Sequence, residues 1–480
     1  MKFQSAYLNE LVSGISYTAL GKYTSVLLRI IVSAILGRKL TSDDFGVAGV
    51  ATVFINFCAV ISVSGITPAI VQNLELTRED IKGIFAFSAY LALFGMLFVI
   101  VCSPVVGFIY ENKVLVYLVA TLSLAVFFSI LAMVPNALAL RQKDFKFISI
   151  RLILVELFVT LVSIVSIYAG AGIYTLVIMP IASAFLMFLL TFQKYRITPS
   201  LTFHISSIKK IFTFSSNQIG FNICNYLYRN VDKLLLGKFH GMSNLGYYDK
   251  ANHLVMLPIN NVSLVVSPVL HPLWSKFQDD KSQIKNKYLQ IVKILALIGF
   301  PISGVTFFSA REIILCLWGD QWEPSVPLFQ FFSLNIGILI VQSAVGPAFQ
   351  ALNYTRGLLL GAIFSICSVS VFLTIGLVIG TNLAVVLSLT GSFFLIFFFY
   401  HHLLFSKCLN VKWIEFALNF KLPILCTIGF AGMAWALNHV IRVDNLFVFA
   451  AIKFTIMGLC SIPVLLYFFK KIKSSLTSGS

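Results

Sequence analysis

The amino-acid sequence predicts an all-α polytopic membrane protein with about 14 transmembrane helices, arranged as two homologous six-helix lobes plus two appended helices. Three observations predict this fold class: the composition, the length of the apolar runs and an internal repeat. Of the 480 residues, 59% are hydrophobic and only 11% are charged, whereas soluble domains carry about 25% charged residues. The composition excludes a soluble globular domain, and it excludes intrinsic disorder because disorder requires low hydrophobicity.

The apolar runs are long and continuous, which favours helices, because the strands of membrane barrels alternate apolar and polar side chains. A helix needs about 20 apolar residues to cross the hydrocarbon core, and each run is close to that length. The candidate spans cover residues 15–36, 46–72, 84–109, 114–135, 149–168, 171–192, 211–236, 251–273, 288–309, 325–350, 358–379, 382–404, 422–441 and 447–469. Glycine-containing turns near 169–172 and 380–382 are typical of helical hairpins.

The distribution of basic residues predicts the orientation. Most of the 35 Lys and Arg residues lie in the segments that are cytoplasmic if the N-terminus is cytoplasmic. The positive-inside rule therefore places both termini in the cytoplasm. It also accounts for most of the net charge of +17 without a nucleic-acid partner.

The chain repeats itself at an offset of 200 residues. The matching positions are Leu36-Gly37-Arg38 with Leu236-Gly237-Lys238, Gly46 with Gly246, Arg29 with Arg229, Pro68 with Pro268 and Asp80 with Asp280. A parallel repeat of this kind is a known plan of transporters. The predicted domains are an N-terminal lobe at 1–196 with spans 1–6, a cytoplasmic linker at 197–210, a C-terminal lobe at 211–405 with spans 7–12, and 406–480 with spans 13–14 and a basic cytoplasmic tail.

Polar side chains form a stripe along the first helix of each lobe, with a polar residue at every third or fourth position. This spacing places them on one helical face. The stripes consist of Thr18, Lys22, Ser25, Arg29 and Ser33 in span 1, and of Gln218, Asn222, Asn225, Arg229 and Asp232 in span 7. A charge at the centre of a span costs about 2.5–3.5 kcal/mol, so such residues usually face a bundle interior or a wet cavity. We expect a central cavity with a cationic lining.

Two interpretations of the embedded charges remain open. The bases Lys22, Arg29, Arg229 and Lys233 outnumber the acids Glu156 and Asp232. A cationic cavity of low dielectric favours an anion, and the planar donor fork of arginine suits phosphate. Alternatively, the charges hold helices together: Arg229 and Asp232 could pair at i and i+3, and Glu156 could be the partner of a nearby base. Lys293 and Lys453 fit either interpretation.

Catalytic signals are absent from the sequence, so we expect no enzyme activity, no cofactor and no metal site. Neither a Walker motif nor a GxSxG or HExxH motif occurs. His401 and His402 lie at the end of a span without acidic partners and are attributed to packing. Trp318 and Trp322 lie in the longest outer loop, where aromatic residues that anchor at the membrane interface are expected.

Several segments carry a family resemblance. They are residues 29–46, 230–239, 245–248, 257–261, 268–272, 276–280 and Gly319-Asp320-Gln321-Trp322. Together they resemble the Wzx-type polysaccharide flippases. The similarity covers roughly residues 10–405 and is greatest to the WzxC-like exporters of colanic acid and exopolysaccharide. These belong to the multidrug/oligosaccharidyl-lipid/polysaccharide (MOP) superfamily, so the resemblance implies a MOP/MATE-like fold.

The resemblance also implies a function, which is the flipping of undecaprenyl-pyrophosphate-linked oligosaccharide repeat units by alternating access coupled to H⁺ or Na⁺. It implies pyrophosphate contacts for Arg29 and Arg229 and sugar contacts for Gln218, Asn222 and Asn225. Lys22 and Lys233 are further candidate substrate contacts, and Asp232 or Glu156 is the candidate ion-coupling carboxylate. The implied partners are the lipid-linked oligosaccharide, membrane lipids and the polymerase and chain-length machinery. The implied localisation is the bacterial cytoplasmic (inner) membrane.

Two alternatives compete with this function. One is a transporter of another substrate in the same superfamily, either lipid II or cationic drugs, although a drug exporter favours an acidic cavity. The other is a membrane-embedded polymerase or acyltransferase, which predicts a large outer loop or a His/Asp site.

Overall fold

The computed structural model describes residues 2–63, 66–73, 75–198, 223, 226–275, 277–278, 280–440 and 445–459. Over these ranges the chain forms helices and turns and no β-strand, which confirms the all-α prediction. The helices are α1 (Lys2–Lys39), α2 (Ser42–Val63), α3 (Ile66–Gln72), α4 (Arg78–Ile109), α5 (Lys113–Arg141), α6 (Phe145–Tyr168), α7 (Thr175–Tyr195), α8 (226–239), α9 (Met242–Ser275), α10 (Lys281–Phe308), α11 (Ala310–Trp318), α12 (Ser325–Ser333), α13 (Asn335–Gln342), α14 (Val345–Ala351), α15 (Thr355–Ile379), α16 (Asn382–Leu404), α17 (Trp413–Leu418), α18 (Lys421–Val440) and α19 (Leu446–Leu459).

Ten of the described helices are long and apolar enough to cross a membrane, or eleven if the bent pair Ser325–Ser333 and Asn335–Ala351 counts as one span. The chain is therefore a multi-pass membrane protein. Each of the 14 predicted spans coincides with a described helix for at least part of its length, so the count of 14 is consistent with the structure. Spans 7 and 14 extend beyond the described residues, at 211–222 and 460–469.

The chain divides into an N-terminal unit, Met1–Gly246, and a C-terminal unit, Tyr247–Ser480. Most of the predicted linker, 197–210, lies outside the described residues. The three boundaries between the four segments inferred from the sequence stay predictions.

Side-chain caps in the loops set where several helices begin. Thr77 and Asp80 form a capping box at the start of α4, and Asn112 and Asp144 cap α5 and α6. Each cap satisfies a backbone N–H that the first helical turn leaves without a partner. The predicted hairpin turn near 380 is confirmed, because Gly380 adopts a φ of 85° directly after α15, a conformation that glycine adopts without strain.

In the N-terminal unit, α5 packs against α4, α2 and α7, while α1 packs against α6. Near the C-terminal ends of α1 and α6, a small apolar core packs the two helices together. It consists of Val32, Leu36, Leu40 and Ile167. This arrangement brings the polar stripe of α1 next to α6.

The starts of α2 and α9 cross at two glycines that the repeat pairs with each other. A Cβ on Gly46 would lie 1.8 Å from the carbonyl oxygen of Met242, and a Cβ on Gly246 would lie 1.9 Å from that of Ser42. The hydroxyls of Ser42 and Ser243 meet at 2.6 Å. The contact is reciprocal at the offset of 200 residues, as two homologous hairpins require, and only small residues permit backbones to approach this closely.

The pair Asp80 and Asp280, matched at the offset of 200 residues, does not occupy equivalent positions in its helices. Asp80 is the third residue of α4, in the capping box with Thr77, whereas Asp280 is itself the N-cap of α10. The two helices therefore begin three residues apart in the aligned numbering, and the match of Asp80 with Asp280 does not reflect equivalent positions.

In the C-terminal unit, α10 packs against α13 and α18, and α15 packs against α16. The predicted span 325–350 is not one straight helix, because α12 and the following helical segment meet at 45°. The hydroxyl of Ser303 on α10 donates to the backbone oxygen of Ser333 at 2.6 Å, at the bend. A side chain that enters the backbone ladder in this way is a known cause of kinks.

The expected role of the two loop tryptophans is wrong. Trp318 and Trp322 are 1% and 0% exposed, so they are not anchors at a membrane interface. Their rings lie 5.6 Å apart, and the buried Lys250 ammonium lies 4.7 Å from the Trp318 ring centroid. The aromatic pair accommodates a cation inside the unit, where it is shielded from water.

Candidate functional site

Two of the predicted site residues, Arg29 on α1 and Glu156 on α6, form an ion pair between these helices. Arg29 donates from Nε to Oε1 of Glu156 at 2.9 Å, and its Nη2 donates to the same oxygen. The Arg29 side chain is 65% exposed, whereas the Glu156 side chain is 8% exposed. The carboxylate is thus fixed in the protein while much of the guanidinium remains accessible.

Small residues make this pairing possible. A Cβ on Gly21 would lie 3.2 Å from Cβ of Ser149, so α1 and α6 approach closely about two turns before the ion pair. From Gly21 to Arg29 and from Ser149 to Glu156 the contacts advance in the same direction, so the two helices run parallel. Ser25, between them on the stripe, is buried and donates to the Gly21 carbonyl.

The guanidinium of the Arg29–Glu156 pair can still bind an anion. Both hydrogen bonds to Glu156 use Nε and Nη2, and Nη1 has no partner among the described residues. An oxyanion can therefore bind the guanidinium from its accessible side or compete with the carboxylate for it. Neutralisation of Glu156 would release Arg29 for such a ligand.

The other predicted site residues are not brought together in this way. Lys22 is half-buried on α1 and Arg229 is exposed on α8. Asp232 and Lys233 are half-buried. Arg229 and Asp232, which could have paired with each other, form no ion pair with each other in the described part of the chain. Gln218, Asn222 and Asn225 lie outside the described residues.

Arg151 is a buried charge near the start of α6, and it is not among the site residues predicted from the sequence. It is 6% exposed and donates to Asn136 on α5 and Thr191 on α7. The N-cap at Asp144 was the signal that could have located it, since a helix that begins at Phe145 places Arg151 in its second turn.

A second buried network joins the appended helices to the C-terminal unit. Lys453 on α19 is 0% exposed and pairs with Glu312 at 3.1 Å. Its ammonium also donates to the backbone oxygen of Phe308 at 3.0 Å and to the side chain of Asn438 on α18. Of the two interpretations of Lys453, the contacts favour helix attachment.

The remaining titratable candidates do not form a catalytic group. His401 is fully buried, donates from Nδ1 to the Phe397 carbonyl oxygen at 2.8 Å and packs against Phe397 and Phe416. Within the described ranges, no three His, Cys, Asp or Glu residues are placed to hold a metal ion.

Comparisons with known proteins agree with this architecture. The family model described as "Polysaccharide biosynthesis protein" matches residues 35–327. The chain is 25% identical over 338 residues to the teichuronic acid biosynthesis protein TuaB of Bacillus subtilis, covering 69% of each chain. It is 22% identical over 441 residues to the lipopolysaccharide biosynthesis protein WzxC of Escherichia coli, covering 90% of this chain and 88% of the relative.

Two solved structures share the fold. The lipid II flippase MurJ, in an inward closed conformation, aligns with a TM-score of 0.76 at 14% identity, over 95% of this chain and 99% of that one. An inward-facing multidrug resistance MATE family transporter of the MOP superfamily aligns with a TM-score of 0.62 at 13% identity, over 80% of this chain and 97% of that one. The predicted MOP/MATE-like fold is confirmed, and the chain belongs to the polysaccharide biosynthesis protein family, as its resemblance to the Wzx-type branch implied.

Proposed function

We propose that this protein is a flippase that moves undecaprenyl-pyrophosphate-linked oligosaccharide repeat units across the bacterial cytoplasmic membrane for polysaccharide biosynthesis. The observation that carries the proposal is the Arg29–Glu156 pair, an accessible guanidinium inside a membrane span of a chain from this family. The names of TuaB and WzxC, which refer to teichuronic acid and lipopolysaccharide biosynthesis, support a polyanionic or lipid-linked glycan substrate. The proposal is a transporter, not a polymerase or acyltransferase.

In this proposal the substrate and Glu156 compete for one guanidinium. The pyrophosphate of the substrate offers several oxygens to the planar donor fork of Arg29, and it therefore competes well with a single carboxylate oxygen. A coupling ion, H⁺ or Na⁺, at Glu156 would weaken the carboxylate as a competitor. The charge state of Glu156 thereby sets the affinity for the substrate, which links ion binding to transport by alternating access.

The remaining predicted residues have complementary roles in this scheme. Lys22, Arg229 and Lys233 add positive charge for the pyrophosphate, while Gln218, Asn222 and Asn225 contact the sugars. Asp232 is a second candidate for ion coupling. Both termini face the cytoplasm, where the repeat unit is assembled, and the polymerase and chain-length machinery receive the product on the other side.

The test is polysaccharide delivery in cells that lack the gene and are complemented with variants whose membrane levels are matched. Arg29→Ala should abolish delivery, and lipid-linked repeat units should accumulate. Arg311→Ala is the matched control, because Arg311 is 62% exposed and pairs with Glu323, which is 51% exposed, at the surface of the other unit. It should support normal delivery.

A double variant separates substrate binding from a simple structural defect. Arg29→Ala alone leaves the buried Glu156 carboxylate without its partner, which is costly in itself. Arg29→Ala combined with Glu156→Gln removes that unpaired charge. If the double variant restores delivery, Arg29 served only to neutralise Glu156 and the proposal is wrong. Continued loss at normal membrane levels shows that neutralising Glu156 is not the only role of Arg29, as the proposal requires.

A further inference from the structure

A pocket in the N-terminal unit lies apart from the Arg29–Glu156 pair. Its volume is about 450 Å³, within the range of about 300–1,000 Å³ that small-ligand sites occupy. It is lined by Thr67, Pro68, Ser129, Met133, Asn136, Leu140, Ile148 and Arg151, and we call it the Arg151 pocket. Its walls come from α3, α5 and α6.

The charged side chain in the wall of this pocket, Arg151, is held in place by the surrounding helices. Arg151 is buried and its orientation is fixed by hydrogen bonds to Asn136 and Thr191, which hold the guanidinium between α5, α6 and α7. Its Nε is buried, and over the part of the chain that the structure describes it has no hydrogen-bond partner. Neutral oxygens therefore satisfy only part of this cation.

Among the described residues, Arg151 forms no ion pair with a carboxylate. It contacts two neutral side chains and the Phe147 ring, whose centroid lies 5.6 Å away. Asp144, the N-cap of the same helix, is paired with Lys194. A buried charge without a counter-ion raises the free energy of the folded protein, so an anion bound in the pocket would be stabilised.

The surrounding chain adds to this preference. Arg141, Lys143 and Lys146 lie in the turn and first helical residues before Arg151. The predicted topology places this end of α6 at the cytoplasmic surface. Arg151 precedes Glu156 by five residues on the same helix, a rise of about 7.5 Å at 1.5 Å per residue. The Arg151 pocket and the Arg29–Glu156 pair are thus successive sites along α6.

We infer that the Arg151 pocket binds the phosphate oxygens of a membrane-embedded phospholipid-type headgroup at the cytoplasmic end of the N-terminal unit. Where that ligand is the pyrophosphate of the transported lipid, an identity that rests on the proposed function, the pocket is a loading site used before Arg29. The hydroxyls of Thr67 and Ser129 and the amide of Asn136 line the same pocket and can donate to the remaining oxygens.

The experiment measures binding to the purified full-length protein in phosphatidylcholine nanodiscs. The probes are inorganic pyrophosphate, undecaprenyl pyrophosphate incorporated in the disc, and phosphatidylglycerol incorporated in the disc. Arg151→Gln should weaken binding by about 10- to 100-fold, the range expected for loss of charge-assisted hydrogen bonds. Ser129→Leu, which fills the pocket and leaves both Arg151 hydrogen bonds in place, should weaken binding as well.

Two control variants separate a ligand site from a structural tie. Thr191→Val removes one of the two hydrogen bonds that orient Arg151 but keeps its charge, and it should weaken binding less than Arg151→Gln does. Arg311→Ala removes an exposed charge in the C-terminal unit, and it should bind each probe within about two-fold of wild type. If Arg151→Gln and Ser129→Leu bind every probe like wild type, the pocket is not an oxyanion site and the inference is overturned.

The probes identify the source of the phosphate. Preference for undecaprenyl pyrophosphate supports a loading site, equal binding of phosphatidylglycerol supports a general lipid headgroup site, and binding of free pyrophosphate alone contradicts a membrane-embedded ligand. Binding is measured without transport, and the Arg151 variants are compared in an Arg29→Ala background as well, so that the contact proposed for Arg29 does not mask the Arg151 pocket. If Arg151→Gln binds the probes like wild type while cells with Arg29→Ala lose delivery, this inference is wrong and the flippase proposal is still supported.

Discussion

At the scale of single residues, burial of the acid decides what an arginine–glutamate pair does. Arg29 and Arg311 are similarly exposed, but the partner of Arg29 is almost fully buried whereas the partner of Arg311 is half exposed. A surface pair of the second kind contributes about 0–1 kcal/mol and exchanges freely with water. In the first kind, the buried carboxylate holds the arginine within a membrane span, where an exchange of partners has large energetic consequences.

The pair of Asp144 with Lys194 predicts a dependence of stability on pH. Hydrogen bonding to Lys194 lowers the pKa of Asp144, which also caps α6 through Phe147. The carboxylate therefore stabilises the fold at neutral pH, and this contribution is lost as the pH falls below about 4 and through the lowered pKa. Asp144→Asn keeps a capping oxygen but loses the ion pair.

We expect Asp144→Asn to be less stable than wild type at pH 7 by up to about 1 kcal/mol, since both partners are partly exposed. The difference should be smaller at pH 3 than at pH 7, because protonation of the wild-type carboxylate progressively removes the pair. Thermal unfolding of the purified protein at the two pH values measures it. A gap of the same size at both pH values would show that the ion pair does not contribute.

At the scale of helices, close approach at glycine carries the pseudo-symmetric contact between α2 and α9. Gly246→Ala places a methyl group 1.9 Å from a backbone oxygen of Ser42, which cannot move as a flexible side chain would. Overpacking of this kind costs about 1–3 kcal/mol or more. The matched control is Gly49→Ala on α2, because a Cβ there meets nothing within 4 Å.

We therefore expect Gly246→Ala to lower the unfolding temperature, whereas Gly49→Ala should leave it unchanged or raise it slightly through helix propensity. Differential unfolding of both proteins in the same detergent compares them. Equal unfolding temperatures for the two variants would mean that α2 and α9 do not pack at these glycines.

Helix positions were largely predictable from the sequence because length, apolar runs and caps are local properties. The turn at Gly380 and the caps at Asn112 and Asp144 lie where the apolar runs are interrupted. The bend at Ser333 was not predictable, since it depends on a hydroxyl that Ser303 supplies from another helix. Burial of Trp318 around Lys250 is likewise a result of packing between distant segments.

At the scale of the whole molecule, the internal repeat predicted the family architecture but not the ion pairs. The stripe spacing identified Arg29 as embedded, and only the packing of α1 on α6 shows that its partner is Glu156. Arg151 was missed because a count of basic residues by loop treats every residue near a helix start as solvated. The offset of 200 held at Gly46 and Gly246 and failed at Asp280, where the helix start has moved.

The central claim is that the transported anion binds Arg29 in competition with Glu156. The most direct measurement is the transbilayer movement of a fluorescent undecaprenyl-pyrophosphate-linked saccharide in proteoliposomes. Wild type and Arg311→Ala should move the lipid at equal rates, and the double variant Arg29→Ala with Glu156→Gln should fall to the rate of protein-free vesicles. Movement at the wild-type rate by a correctly inserted double variant would contradict the account.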